Sequence, residues 1–473
     1  MNQKLLQLYH RSPAPLRSVA ATLRGYQLRS WRYGSETQRL VEEALEREQW
    51  SAERWQRWQE ERLARVLHRA ATQVPFYREQ WAERRRRGDV ASWERLENWR
   101  VLEKESVRED ARAFLATGCD VRRMFYDHTS GTTGKSLDLW LSRETVRAWY
   151  ALCEARLRQW YGVSRQDRWA ILGGQLVVPV ANRRPPFWVW NSALRQLYLS
   201  SYHLAPDLIT HYIDALRRYR VRYLLGYTSS LYSLAQGVLR AGRDDLKMSV
   251  VVTNAEPVYE HQRRVIAEAF QCPVRETYGM SEIVAAASEC EEGKLHLWRE
   301  AGVVEVLADD KSVSDGATGE LVCTGLLNDD MPLIRYRVGD RGARAVVGDE
   351  PCACGRTLPV LASVEGRTDD LVYTADGRRV GCIDTIYDAR LPVREAQIVQ
   401  ESLERVRVRY VPAPGFTLAS GGSIIRGMRE RMGAIEVVLE QVDEIPRGAN
   451  GKYRAVVCNL SAETRRRIEA AGA

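Results

Sequence analysis

Between residues 121 and 367 the chain alternates short apolar runs with longer amphipathic stretches, and this alternation constrains the fold more than any other feature. RWAILGG, VRYLLGY, SVVVTNAEP and PVRETYGM each read as a buried strand that runs into a polar or glycine-containing loop. DLITHYIDALRRY and VYEHQRRVIAEAF, between them, carry apolar residues at helical spacing. Strand, helix, strand in this order predicts an α/β fold built on a sheet with crossover helices. Ligands of such sheets lie beyond the strand ends, so the loops after these runs are the place to look for chemistry.

The flanking regions differ. From about residue 35 to 99 the chain reads as helices rich in Arg, Glu and Trp. Trp55, Trp58, Leu63, Val66 and Leu67 form a packing stripe, and the helix is expected to stop before Pro75 because the residue preceding proline leaves the helical region. GVVEVLADD, GELVCTGL and PLIRYRVGDRGARAVV follow the alternating part as strand-length runs with Gly and Asp turns. LVYTADGRRV then reads as a hairpin turning at Asp376–Gly377. With 473 residues the chain exceeds what one core supports. The expected organisation is a helical segment over 1–120 that belongs to the large domain, the body of that domain over 121–368, and a small α+β domain over 369–473.

The net charge of +8 invites a polyanion partner. Much of the excess is arginine in helical runs such as residues 83–87 and 465–467, and solvated helix faces explain such runs without nucleic acid. No apolar stretch reaches transmembrane length, and the basic N-terminus lacks a signal-peptide core, so no stable membrane insertion is expected. Nine scattered cysteines suit a reducing compartment, and the cytoplasm is the expected location. Oligomeric state stays open.

YDHTSGTTGKSLDLWLS, residues 126–142, is the strongest local signal. Gly131 and Gly134 alternate with Thr129, Ser130, Thr132, Thr133 and Ser136, beside Lys135. Such a loop can turn backbone N–H groups and hydroxyls toward phosphate oxygens. It is not a Walker A loop, which needs glycine where Thr129 stands. A plain Ser/Thr-rich turn is the other reading of these residues alone.

Further segments stand in a fixed order: NAEP at 254–257, YGMSE at 278–282, RYRVGD at 335–340, GRTDD at 366–370 and IPRGANGKYR at 445–454. Together with TSGTTGK this set resembles the motifs of the adenylate-forming superfamily. Within it the chain is similar to the branch of phenylacetate–CoA ligases, CapK-like proteins and coenzyme F390 synthetase-like proteins. RLARVLHRAATQVPFYREQW, LENWRVLEKESVREDARAFL, LLGYTSSLYSLA and CACGRTLPVL carry that closer likeness. The resemblance implies a large α/β domain with a β-rich part, a small mobile C-terminal domain, and activation of a carboxylic acid by ATP to an acyl-adenylate. Transfer to coenzyme A follows, or alternatively to an amine.

The resemblance also implies roles. Thr129, Ser130, Gly131, Thr132, Thr133, Gly134 and Lys135 would cradle phosphates. Ala255, Glu256, Pro257, Tyr278, Gly279, Met280 and Ser281 would form the adenine side, with Tyr278 stacking on the base. Asp340 would bind the ribose, Glu282 would hold Mg²⁺, and Arg367 would contact the nucleotide. Lys452 would be the catalytic lysine, and Asp369 the pivot of the small domain. The acid pocket is expected to draw on Trp169, Gln175 and Tyr227, with Trp188 a further candidate.

The cysteines form a second constellation. Cys352 and Cys354 make a C-x-C pair, and Cys290 lies six residues before His296. Three Cys and one His suit a tetrahedral structural zinc, and some members of the branch carry such a cluster; a turn with buried thiols is the alternative.

Overall fold

The structure, a computed structural model, describes residues 8–129, 137–179, 181–308, 310–345, 352–365, 372–380, 391–445 and 456–471. Ahead of the first strand stand helices α1 (Ala14–Arg32), α2 (Thr37–Arg47), α3 (Ala52–Gln73), α4 (Pro75–Arg86) and α5 (Lys104–Glu109). The Ser51 hydroxyl caps α3 by accepting the Arg54 N–H. That helix ends at Gln73 with Val74 extended, as Pro75 requires, and Pro75 itself opens α4 at a position where its missing N–H costs nothing. Trp55, Val66 and Leu67 are fully buried, so the aromatic stripe is a packing face.

β1 (Phe125–His128) and β2 (Asp138–Leu141) form a hairpin. Thirteen strands then build one large sheet. Its first part comprises β3 (Trp169–Gly173), β4 (Trp188–Asn191), β5 (Gln196–Ser200), β6 (Tyr223–Tyr227), β7 (Val250–Asn254) and β8 (Val274–Gly279). Its second part comprises β9 (Ala286–Glu289), β10 (Leu295–Leu297), β11 (Gly302–Ala308), β12 (Lys311–Ser312), β13 (Gly319–Gly325), β14 (Tyr336–Arg344) and β15 (Val360–Glu365). The order across the sheet is β12-β11-β13-β14-β15-β10-β9-β8-β7-β6-β3-β5-β4.

β5, β3, β6, β7 and β8 run parallel, as the alternating sequence predicts, with α6 (Arg143–Leu157), α7 (Ile209–Arg218), α8 (Thr228–Arg240) and α9 (Glu260–Phe270) among the crossovers and packing layers. The other half is antiparallel. β8 joins the two: its first residues pair parallel with β7, and Thr277, Tyr278 and Gly279 pair antiparallel with Ser288, Ala287 and Ala286. The strand where the sheet changes sense is therefore the one that ends in YGMSE.

Two cores flank this junction. One packs α3 and α4 on the antiparallel half through Val66, Leu67, Tyr77, Trp99, Leu333 and Tyr336. The other packs α7, α8 and α9 on the parallel half through Leu172, Tyr212, Leu224, Leu234 and Phe270.

A short hairpin of β16 (Val372–Tyr373) and β17 (Arg379–Val380) follows, turning at Asp376–Gly377 with Gly377 at φ 83°, as its sequence predicts. β18 (Val393–Gln400), β19 (Arg405–Pro412), β20 (Glu436–Gln441) and β21 (Val456–Cys458) make a separate four-stranded sheet. Helix α10 (Leu418–Met432) covers it, with Ile424, Met428, Val406 and Val408 in its core, and α11 (Ala462–Ala471) closes the fold. Arg378 ties hairpin and helix to the large sheet by donating to the carbonyls of Tyr202, Arg431 and Met432. The expected boundary at Asp369 lies outside the described residues.

Candidate active site

The strand ends of β6, β7 and β8 gather the expected residues on one edge of the sheet. After β7 the chain turns at Ala255, whose φ of 63° is a left-handed conformation that a residue with a Cβ adopts at a cost of roughly 1 kcal/mol. Glu256 holds that turn. Its carboxylate accepts the Ser229 N–H at 2.7 Å and the Ser229 hydroxyl at 3.0 Å, and its carbonyl accepts the Thr228 hydroxyl. An anion placed on the first N–H groups of α8 satisfies donors that the helix leaves open. The NAEP segment is thus fixed to the helix beside it, with its backbone held in place by its own acid.

Tyr278, on the junction strand, donates its hydroxyl hydrogen bond to Asp340 at 3.0 Å. Burial, reinforced by the neighbouring Asp340 carboxylate, pushes this phenol well above its ordinary value, so it is a donor at any physiological pH. Asp340 reaches it through an irregularity. Between the Glu320–Arg341 and Val322–Arg337 pairs, two steps along β13 are matched by four along β14. The extra residues bulge, Gly339 at φ 90° makes the bend, and Asp340 leaves the ladder toward β8. The Gly–Asp pair of RYRVGD is therefore a β-bulge that aims a carboxylate.

Glu282 is buried after β8. Its carboxylate accepts from the Tyr336 hydroxyl at 2.8 Å and lies 3.2 Å from the Lys104 ammonium at the start of α5. Burial works to raise this carboxyl, but Lys104 and Tyr336 more than offset it and hold it below its ordinary value, so it stays ionised. Backbone pairing keeps Lys104 there: Leu102 N–H donates to the Arg335 carbonyl and Arg337 N–H to the Leu102 carbonyl. As placed, Glu282 is engaged by a lysine where a Mg²⁺ ion was expected. Asp127, on β1, has its carboxyl raised by burial and feels the Glu282 charge, which puts a second acid near the first.

Sequence reading missed Lys104, Tyr336 and Asp127. A signal for the lysine existed: only seven of the 70 Lys and Arg residues are lysine, and Lys104, Lys135 and Lys452 are three of them. In a chain that otherwise uses arginine, a retained lysine marks a place for a compact charge.

The phosphate loop is described only at its base. Thr129 N–H donates to the Leu137 carbonyl, and the Thr129 hydroxyl accepts the Leu137 N–H at 2.9 Å, closing the neck of the segment between them. Ser130, Gly131, Thr132, Thr133, Gly134 and Lys135 lie outside the described residues. So do Arg367, Asp369 and Lys452.

Of the acid-pocket candidates, Gln175 stands in the loop after β3 and Tyr227 reaches the glycine before it, whereas Trp169 does not join them. A Cβ on Gly174 would stand 2.9 Å from the Tyr227 hydroxyl, and one on Gly173 would overlap the Tyr198 hydroxyl. Tyr198, unexpected from sequence, also receives the Gln175 N–H. The two glycines are there for close approach, since neither has positive φ. Trp169 begins β3 at the opposite end of the strand, stacked on Tyr223 and donating to the Leu194 carbonyl. Large and apolar, it fills core there. Trp188 packs edge-on against Tyr212.

The four metal candidates do converge. Cys290, His296, Cys352 and Cys354 bring their ligand atoms within 4.8 Å of one another. Cys290 and Cys352 sulfurs are 3.9 Å apart, and Cys354 Sγ is 3.4 Å from His296 Nε2. A tetrahedral zinc with ordinary bond lengths sets these separations at about 3.8 and 3.5 Å. His296 Nδ1 bonds the Leu358 carbonyl at 2.8 Å, which leaves Nε2 for the metal, and burial keeps the ring neutral. The loops come together because β10 pairs with β15, at His296–Val360. In the absence of metal, burial and the adjacent thiols push Cys290 up to about 12. The site fits zinc, with four protein side chains to hold it and no position left open.

Comparisons with known proteins agree with the motifs. Residues 372–459 match the CapK C-terminal domain. The chain is 26% identical to protein CapK of Staphylococcus aureus over 344 residues, 70% of this chain and 74% of that one. It is 27% identical to a phenylacetate–coenzyme A ligase of Thermus thermophilus over 246 residues, 45% of this chain and 54% of that one. Among solved structures, 2-hydroxyisobutyryl-CoA ligase in complex with 2-HIB-AMP and CoA superposes with a TM-score of 0.55, covering 90% of this chain and 94% of that one at 20% identity. The chain is a homologue of CapK and of the phenylacetate–coenzyme A ligases, and its fold is that of the adenylate-forming ligases.

Proposed function

We propose that this homologue of CapK and the phenylacetate–coenzyme A ligases activates a carboxylic acid with ATP and passes the acyl group to coenzyme A. The observation that carries the reading is the convergence of Tyr278, Asp340, Glu282 and the 255–257 turn on one edge of the sheet, beside the neck of the Gly/Ser/Thr loop.

In the first step a carboxylate oxygen bonds to the α-phosphorus of ATP, the bond to the bridging oxygen breaks, and pyrophosphate leaves. Asp340, aimed by its bulge and oriented by Tyr278, accepts from the ribose hydroxyls. The 255–257 backbone borders the base. Lys135 and the hydroxyls of Thr129, Ser130, Thr132 and Thr133 meet the phosphates, where charge must be neutralised. Glu282 holds Lys104 at the same place; Mg²⁺, when bound there, supplies further cationic stabilisation of the leaving pyrophosphate. Lys452 brings a point charge to the acid and the α-phosphate, and Arg367 contacts the nucleotide. In the second step the thiol sulfur attacks the acyl carbonyl and AMP leaves, after the small domain turns about Asp369. The metal at Cys290, His296, Cys352 and Cys354 is structural. A reducing, cytoplasmic setting suits those thiols.

A second reading replaces the thiol by an amine. The CapK likeness, which spans the small domain and most of the chain, favours keeping it. Acid-dependent exchange of pyrophosphate into ATP tests activation, and its absence across a broad panel of acids defeats both readings. Thioester formation with coenzyme A selects the first; amide formation without thioester selects the second. Lys452→Ala is expected to abolish exchange while leaving the melting temperature unchanged.

A further inference from the structure

Of the large apolar side chains exposed among the described residues, most sit on one short stretch: Leu8, Leu16, Val19, Leu23 and Tyr26. The last four lie on α1 and are 54 to 66% exposed. Their spacing of three, four and three puts them within about 80° of arc on an ideal helix.

A second face of α1, centred about 110° from the stripe on an ideal helix, is committed. β4 is the edge strand of the large sheet, and α1 covers it. The Ser18 hydroxyl accepts the Trp190 N–H and the Thr22 hydroxyl accepts the Ser192 N–H, two donors that an edge leaves open. Gly25 lies against Asn191, where a Cβ would collide with the amide. With that face fixed on the sheet, the stripe remains exposed.

Charge identifies what meets it. The first 35 residues contain Lys4, Arg11, Arg17, Arg24, Arg29 and Arg32, and neither Asp nor Glu. Arg24 and Arg29 are exposed and stand on opposite sides of the stripe, about 120° and 100° from its centre. A second copy of the same face would set cation against cation with no acid to pair. An apolar strip between arginines instead matches a bilayer surface, where the strip enters the acyl boundary and the guanidinium groups reach lipid phosphates. We propose that α1 docks the large domain on the surface of an anionic bilayer. The association is interfacial: no helix among the described residues is long and apolar enough to cross a membrane. His10, just before α1, stands 3.4 Å from the Leu176 carbonyl, so the segment leading into the helix adjoins the loop that holds Gln175.

The test is co-sedimentation of the full chain with vesicles of phosphatidylcholine alone or with about 30% phosphatidylglycerol. Binding to the anionic vesicles is expected to be about tenfold stronger and to fall severalfold in about 0.5 M salt. Leu16→Ser with Leu23→Ser, and separately Arg24→Gln with Arg29→Gln, are each expected to lower it at least about fivefold without changing the melting temperature, because all four side chains are exposed. Equal binding to both vesicle types, or undiminished binding by both double variants, overturns the proposal. So does a wild-type dimer that the leucine variant turns into a monomer, which assigns the stripe to a second copy.

Discussion

The hydroxyl of Tyr278 donates to Asp340 at 3.0 Å, joining the strand where the sheet changes sense to the bulge of β14. Two motifs more than fifty residues apart in sequence are one structural unit, and the bond sets the direction of the Asp340 carboxylate, the group proposed to meet the ribose.

Tyr278→Phe keeps the ring and removes that donor. KM for ATP is expected to rise severalfold while kcat changes little, since the contact orients a binding group rather than the reacting atoms. Stability falls by about 1–3 kcal/mol because a hydrogen bond to a charged acceptor is lost. Pyrophosphate exchange and urea unfolding measure the two effects; an unchanged KM refutes the orienting role.

Lys104→Ala leaves Glu282 buried beside Tyr336 alone. Breaking a buried pair from one side costs about 3–5 kcal/mol. The pH dependence changes sign as well. In the wild type the Glu282 carboxyl is depressed, so its contribution is present above 4.5, the ordinary glutamate value, and is lost as pH falls below it. Without Lys104, burial dominates and the carboxyl rises above that value. The variant is then expected to gain stability relative to the wild type as pH falls from 7 toward 5, a range in which the depressed Glu282 of the wild type contributes no slope. Urea midpoints across that range decide it, and parallel profiles would sink the assignment.

The cluster at Cys290, His296, Cys352 and Cys354 is expected to hold about one zinc per chain after purification without chelators. Cys352→Ser should reduce the metal to about a tenth of that and lower the melting temperature, since metal binding here joins two loops of the sheet. Elemental analysis beside a thermal melt reads both. A chain that is metal-free and equally stable in both forms rules the site out.

Gly174→Ala places a methyl 2.9 Å from the Tyr227 hydroxyl. The phenol end can yield, so the stability loss should be about 1 kcal/mol. The KM for the acid is expected to change severalfold while that for ATP does not. Should acid KM and selectivity both stay put, Gln175 and Tyr227 are not at the acid pocket.

Much of this was legible beforehand because it is local. A buried parallel strand must be an apolar run, Pro75 must end a helix, and an Asp–Gly pair favours a hairpin turn, whatever lies elsewhere in the chain. NAEP and YGMSE could be located for the same reason: each lies where a buried strand ends. Trp169 shows where local reading fails, since an apolar residue on a strand looks the same at either end, and only the end decides between core and pocket.

The sequence by itself determined the order of elements, the sense of the first sheet and the loops that carry the chemistry. Only the tertiary structure decided who meets whom: Lys104 with Glu282, Tyr278 with Asp340, His296 with Cys354, and α1 with the edge of β4. These pairings depend on which strands become neighbours and where one bulges. Strand order and register are set by the packing of the whole sheet, and no short window of residues contains them.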